Sequence, residues 1–142
     1  MPNPAIGVNA YLSFKGDCEA AFMHYAEHLG GRVAALYRYE GTPLENDVPD
    51  GWHEKIMHGS IAFGDQVLMA GDVAPARYEE PKGFSLSVHI KGVAQAERVF
   101  AALADGGKIV MPMASTFWTA RFGMVVDRFG VPWLINGEDD SS

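Results

Sequence analysis

The feature that most constrains this chain is a hairpin signature that occurs twice. Phe122 to Val126 is an apolar run of strand length, Asp127-Arg128-Phe129-Gly130 is a turn signal, and Val131 to Ile135 is a second apolar run. That pattern predicts a β-hairpin with Gly130 in its turn. Residues 57–72, MHGSIAFGDQVLMAGD, repeat it: Phe63-Gly64 answers to Phe129-Gly130 and Leu68-Met69-Ala70-Gly71 to Leu134-Ile135-Asn136-Gly137, each 66 positions on. Upstream, residues 17–33 and 93–110 each carry a helical pattern that ends in a double glycine, a basic residue and an apolar residue, now 76 positions apart. The extra ten positions place an insertion in the first half, and the aperiodic polar stretch 41–55 accommodates it. The chain therefore reads as two copies of one unit of strand, helix, strand and hairpin.

A length of 142 residues with 48% hydrophobic content suits a single domain with one core. Module one spans about 5–72, a linker 73–82, and module two about 83–137. The net charge of −7 argues against a nucleic-acid partner and against an anionic membrane surface. One cysteine, Cys18, excludes an intrachain disulfide and a multi-cysteine zinc site. The first ten residues lack the charged and apolar segments of a signal peptide, and no apolar run approaches the ~20 residues of a membrane span. A cytoplasmic protein is the expectation.

In order, Val8 to Phe14 is the first predicted strand and Asp17 the N-cap of the first helix, with Cys18, Ala21, Phe22, Tyr25 and Leu29 inward. Gly30-Gly31 ends that helix, because glycine enters the left-handed cap without strain. Arg32 to Tyr39 is a strand, and Lys55 to Phe63 with Gln66 to Ala70 is the first hairpin. In the second module Phe84 to Ile90 alternates like a half-exposed strand. Val93 to Ala104 is a helix with Val93, Ala96, Val99, Phe100 and Leu103 inward, and Gly106-Gly107 closes it. Lys108 to Met111 is a short strand, and Pro112 to Trp118 reads as a turn-rich approach to the last hairpin. The expected class is α+β, βαβββ twice.

This pattern resembles the vicinal oxygen chelate superfamily of glyoxalase I, bleomycin- and fosfomycin-resistance proteins and extradiol dioxygenases. It is most similar to the PhnB-like branch, also known as 3-demethylubiquinone methyltransferase-like. The residues that carry the resemblance are Tyr11 to Gly16, Tyr25 with Leu29-Gly30-Gly31, and His58 with Leu68 to Asp72. Most specific are Thr116-Phe117-Trp118, Phe122-Gly123, Asp127 and Phe129 to Asn136. It covers roughly residues 8–137. The resemblance implies two βαβββ modules curled into a curved sheet cup with helices outside and a cavity between the modules. It also implies metal ligands, His or Glu, on the first and last strand of each module. The last-strand ligand stands four residues after the turn glycine, which is Leu134 here and Leu68 in the first module. The first-strand positions fall near Asn9 to Tyr11 and near Ser85. None offers His, Glu or Asp, so no superfamily metal site and no cofactor are expected. A divalent metal on displaced ligands, His58 first among them, is the alternative. The methyltransferase label finds no support, because the double glycines follow helices where a nucleotide-binding turn precedes one.

Other candidates are weighed on their own chemistry. His24-x-x-Glu27-His28 matches an inverted zinc-protease pattern, and its spacing puts both imidazoles on one side of a helix, but two surface histidines are the plainer reading. His58 is a hydrogen-bond partner or base in the cavity, or a half-buried histidine satisfied by backbone. His53 and His89 are given no role. Trp118 is read as a wall of the ligand cavity, Trp133 as core. Arg121 meets an anionic ligand group or forms a salt bridge to Asp127 or a glutamate. Cys18 lies on a buried stripe and reads as structural. The candidate ligand-binding set is thus Tyr11, His58, Ser85, Trp118, Arg121 and Leu134, with catalytic residues unassigned. The leading expectation is a protein that binds a small, partly apolar molecule in the inter-module cavity. The alternative is a metal-dependent lyase or dioxygenase. Open sheet edges and the 72–82 linker lead to the expectation of a C2 homodimer.

Overall fold

The computed structural model describes residues 6–139. The chain divides into two compact units, Met1–Glu79 and Glu80–Ser142, with the boundary inside the stretch 73–82. In the first unit the elements are β1 (Tyr11–Phe14), α1 (Cys18–Leu29), β2 (Arg32–Arg38), β3 (Ile56–Phe63) and β4 (Gln66–Asp72). The second unit repeats them as β5 (Leu86–Lys91), α2 (Val93–Ala104), β6 (Lys108–Ala114), β7 (Arg121–Val126) and β8 (Pro132–Glu138). Both sheets have one topology, β1-β4-β3-β2 and β5-β8-β7-β6, in which the first strand runs parallel to the last and the other pairs are antiparallel. The fold is α+β with open sheets, as the repeat predicts.

One helix covers one face of each sheet. Cys18, Ala21, Phe22 and Tyr25 of α1 are buried, together with Leu12, Phe14, Ile61, Leu68 and Ala70 from the strands. In the second unit Ala96, Val99, Phe100 and Leu103 of α2 are buried, together with Val125, Trp133 and Ile135. Gly59 and Gly123 are the seats: a Cβ on Gly59 would come 3.1 Å from the Phe22 ring, and one on Gly123 would come 2.7 Å from the Phe100 ring.

Three local expectations change. Asp17 makes no side-chain cap hydrogen bond. The first turn is held from across the sheet, where Asp72 Oδ1 accepts from the Gly16 and Cys18 amides at 3.0 Å and Oδ2 from the Ile56 amide at 2.9 Å. A buried carboxylate serving three backbone donors replaces a local cap, and no local pattern encodes it. Strand β6 continues through Pro112 to Ala114, which an edge strand permits because its outer donors need no partner. Strand β1 starts at Tyr11, and Val8 before it is exposed. At the helix end, Gly30 takes the left-handed cap with φ 77° as expected.

Candidate functional site

The face of each sheet opposite its helix is the candidate site. Strand alternation decides what lies there. In the first unit Leu12 and Phe14 are buried, so Tyr11 and Ser13 point the other way. Register aligns Ser13 with Gly71 and Tyr37 with His58. The Tyr11 and His58 rings stack at 5.7 Å and 25°, and the His58 and Tyr37 rings at 6.3 Å and 22°. Gly71 is the floor of this stack: a Cβ there would come 2.5 Å from the Met57 carbonyl oxygen and 2.9 Å from the Tyr11 hydroxyl. Burial pushes the Tyr11 hydroxyl above its ordinary pKa.

In the second unit the opposite face carries Ser87 and His89 of β5, Phe122 and Met124 of β7, and Leu134 and Asn136 of β8. Ser87, Leu134 and Met124 lie in one row across the sheet; His89, Asn136 and Phe122 lie in the next. Asn136 Nδ2 donates to Ser87 Oγ at 3.2 Å, and Ser87 Oγ lies 3.4 Å from His89 Nε2. Trp118 stands edge-on to Phe122 with centroids 5.3 Å apart. Its loop is pinned by Thr116 and Thr119: the Thr116 amide donates to the Thr119 carbonyl at 3.1 Å, and Thr119 Oγ1 donates to the Gly137 carbonyl at 2.8 Å.

The sequence-predicted candidates separate on these faces. Tyr11, His58, Trp118 and Leu134 lie on them. Ser85 is exposed and precedes β5, so Ser87 takes the row beside Leu134. Arg121 points toward α2, where its Nε lies 3.3 Å from Glu97 Oε1; this is the salt-bridge reading, with glutamate as the partner. Trp133 is core, its indole N–H donating to buried Asp127 Oδ2 at 2.9 Å. Asp127 Oδ1 also accepts from the Phe129 and Val131 amides at 2.9 and 3.0 Å. The most specific part of the C-terminal motif is therefore a turn clamp. Tyr37 and Ser87 were not candidates in the sequence, His89 was given no role there, and Asn136 entered only as part of the C-terminal motif. The period-two run Ser85, Ser87, His89 was the available signal for the β5 residues, whereas register shifts on either side hide Tyr37 from alternation.

The equivalence of Leu68 with Leu134 does not hold on the sheets. Leu68 is buried on the α1 side at 6% exposure, and Met69 is the residue aligned with Tyr11, as Leu134 is with Ser87. The first hairpin turns over Gly64 and Asp65, between paired Phe63 and Gln66. The second turns over residues 127–131, between paired Val126 and Pro132. In both, the first paired residue stands two after the glycine. But Phe63 and Gln66 close the first hairpin on the α1 side with Ile61 and Leu68, whereas Val126 and Pro132 close the second on the open face with Met124 and Leu134, so equal counts from the glycine land on opposite faces. The four register positions hold Tyr11, Met69, Ser87 and Leu134. A phenol, a thioether, a hydroxyl and an alkyl group do not fit a divalent ion that wants carboxylate and imidazole. Two hollows of the first unit lie elsewhere. One of about 210 Å³ is lined by Glu19, Arg38, Lys55 and Asp72, and one of about 360 Å³ by Tyr39, Leu44, Asp47 and Arg77. In the smaller, Arg38 is taken up by Glu19 at 3.0 Å and Lys55 by the Gly16 carbonyl at 2.8 Å.

Repeated topology, helix-backed open sheets and the C-terminal clamp define the class: the chain belongs to the Glyoxalase/Bleomycin resistance protein/Dioxygenase superfamily, whose family model matches residues 7–135. Among individual proteins it is similar to Protein YjdN of Escherichia coli K12, 33% identical over 142 residues, covering 91% of this chain and 93% of that one. The crystal structure of protein PA1353 from Pseudomonas aeruginosa is 45% identical with a TM-score of 0.85, covering 95% of this chain and 99% of that one. The PhnB protein from Bacillus cereus shares the fold at 23% identity and a TM-score of 0.79, covering 93% and 99%.

Proposed function

We propose that the chain is a small-molecule binding protein of this superfamily, working without the superfamily's metal as a cytoplasmic C2 homodimer. One observation carries the reading: aromatic rings stay exposed on the faces opposite the helices, Tyr11 at 50%, Tyr37 at 58% and Trp118 at 56%. Beside them stand a few polar groups, His58 in one unit and Ser87, His89 and Asn136 in the other. Apolar walls with sparse hydrogen-bonding groups suit a small, partly apolar molecule with a polar substituent. The donor chemistry of Tyr11, Met69, Ser87 and Leu134 supports the metal-free part.

The test is a thermal-shift screen of single-ring compounds bearing one amide, hydroxyl or carboxylate, read together with Trp118 emission. Binders are expected to raise Tm and change that emission. Tyr11→Ala, His58→Ala or Trp118→Ala should weaken them at least about tenfold, the loss of one well-placed contact. Binders indifferent to all three substitutions would exclude these faces. Elemental analysis of untagged protein tests the metal-free part. A stoichiometric ion lost in His58→Ala would replace this reading with a metal-dependent lyase or dioxygenase using His58 as a displaced ligand.

A further inference from the structure

The pair His24 and His28 on α1 lies outside the proposed site, with the His24 ring edge-on to buried Tyr25 at 6.3 Å. The two residues are four apart, one helical turn, on the flank of the buried stripe. Their ring centroids lie 4.6 Å apart with planes at 60°. An imidazole nitrogen binds zinc at about 2.0–2.1 Å, so two rings meeting one ion at right angles hold their centroids roughly 4.5 Å apart. The rings meet edge-on, and rotation about the Cβ–Cγ bonds at this separation brings one nitrogen of each onto a shared ion. His28 is 35% exposed and Glu27, its carboxylate 3.5 Å from His28 Nε2, is 75% exposed. An ion can therefore reach the pair from solvent and meets a negative charge beside it. Helix α1 is anchored by Phe22 and Tyr25 at 0% exposure, which keeps both imidazoles on a rigid support.

We propose that His24 and His28 form a surface chelate for one late divalent transition-metal ion. Imidazole selects Cu²⁺, Ni²⁺ and Zn²⁺ over Mg²⁺ and Mn²⁺, with Cu²⁺ tightest. Among the described residues no three His, Cys, Asp or Glu side chains are gathered as ligands, so water completes the coordination shell. The role is a two-point metal site on the helix, separate from the register positions of the sheets.

The experiment is calorimetric titration of the full, untagged chain with the chloride salts of Cu²⁺, Ni²⁺, Zn²⁺ and Mg²⁺. One equivalent of Cu²⁺ is expected, with Ni²⁺ and Zn²⁺ weaker and Mg²⁺ silent. His28→Ala leaves a single imidazole and should weaken Cu²⁺ roughly 100-fold, the loss of the intramolecular second contact. Adding Ala20→His to His28→Ala restores a pair one turn earlier, with His24, and should recover the affinity; Ala20 is exposed, so the change is tolerated. His24→Ala should behave as His28→Ala does, and His53→Ala, at an exposed loop position, should leave Cu²⁺ binding unchanged. Circular dichroism confirms that each variant is folded. Absence of Cu²⁺ binding, equal affinity in His28→Ala, or no recovery with Ala20→His overturns the proposal. The double variant His24→Ala, His28→Ala also separates an ion held on the helix from any ion held on the sheet faces.

Discussion

Two buried carboxylates hold each unit's geometry at the scale of single residues. Asp72 is 1% exposed and satisfies three backbone amides that join the β1–α1 turn to β3. Asp72→Ala strands those donors, two of them buried, and should cost about 3 kcal/mol or more in urea unfolding. Asp72→Asn keeps one acceptor and should cost less. Trp133→Phe removes the indole donor from Asp127, which is 3% exposed, and should cost about 1.5–3 kcal/mol because that bond goes to a charged group. Cys18 is fully buried, and burial pushes its thiol far above the ordinary value of 9.0, with Asp72 nearby acting in the same direction. The folded state therefore keeps the proton when the unfolded chain loses it. This contribution is fully present below about pH 9 and is lost as pH rises above it. Cys18→Ala should flatten the alkaline fall in stability measured between pH 8 and 10.5, and alkylation of Cys18 should require unfolding.

At the scale of elements, the first sheet's open face depends on a residue with no side chain. Gly71 lets the Tyr11 ring reach across β4 toward His58, and a Cβ there meets the Met57 carbonyl on the neighbouring strand. Gly71→Ala should lower stability by about 1–3 kcal/mol, the usual cost of overpacking, and uncouple Tyr11 from His58; the loss of the Tyr11 ring-current shift on the His58 imidazole protons in NMR spectra reads the second effect. Helix α2, its inward face and the hairpin order were legible from periodicity and turn residues alone. The facing of β4 was not. Counting from a turn glycine does not tell which face of the sheet the pair that closes the hairpin occupies, and that face differs between Phe63–Gln66 and Val126–Pro132.

For the whole molecule, both sheets end in edge strands, and β6 leaves Ile109, Val110 and Met111 half exposed. Such an edge is a template for pairing, which supports the homodimer proposed above. Light scattering at micromolar concentration should give twice the 15.4 kDa chain mass; a monomer would exclude that proposal.

The sequence by itself determined the repeat, the α+β class and the two inward helix faces, because each depends on residues close together in the chain. Hydrophobic spacing encodes a helix face, and glycine encodes a left-handed turn. Tertiary structure alone decided that Asp72 caps α1 from across the sheet and that Arg121 goes to Glu97. It also brought Tyr11, His58 and Tyr37 into one stack from three strands, and it set Met69 against Leu134 as the matching positions. Those outcomes depend on strand register, which arises only when residues distant in the chain are hydrogen-bonded side by side.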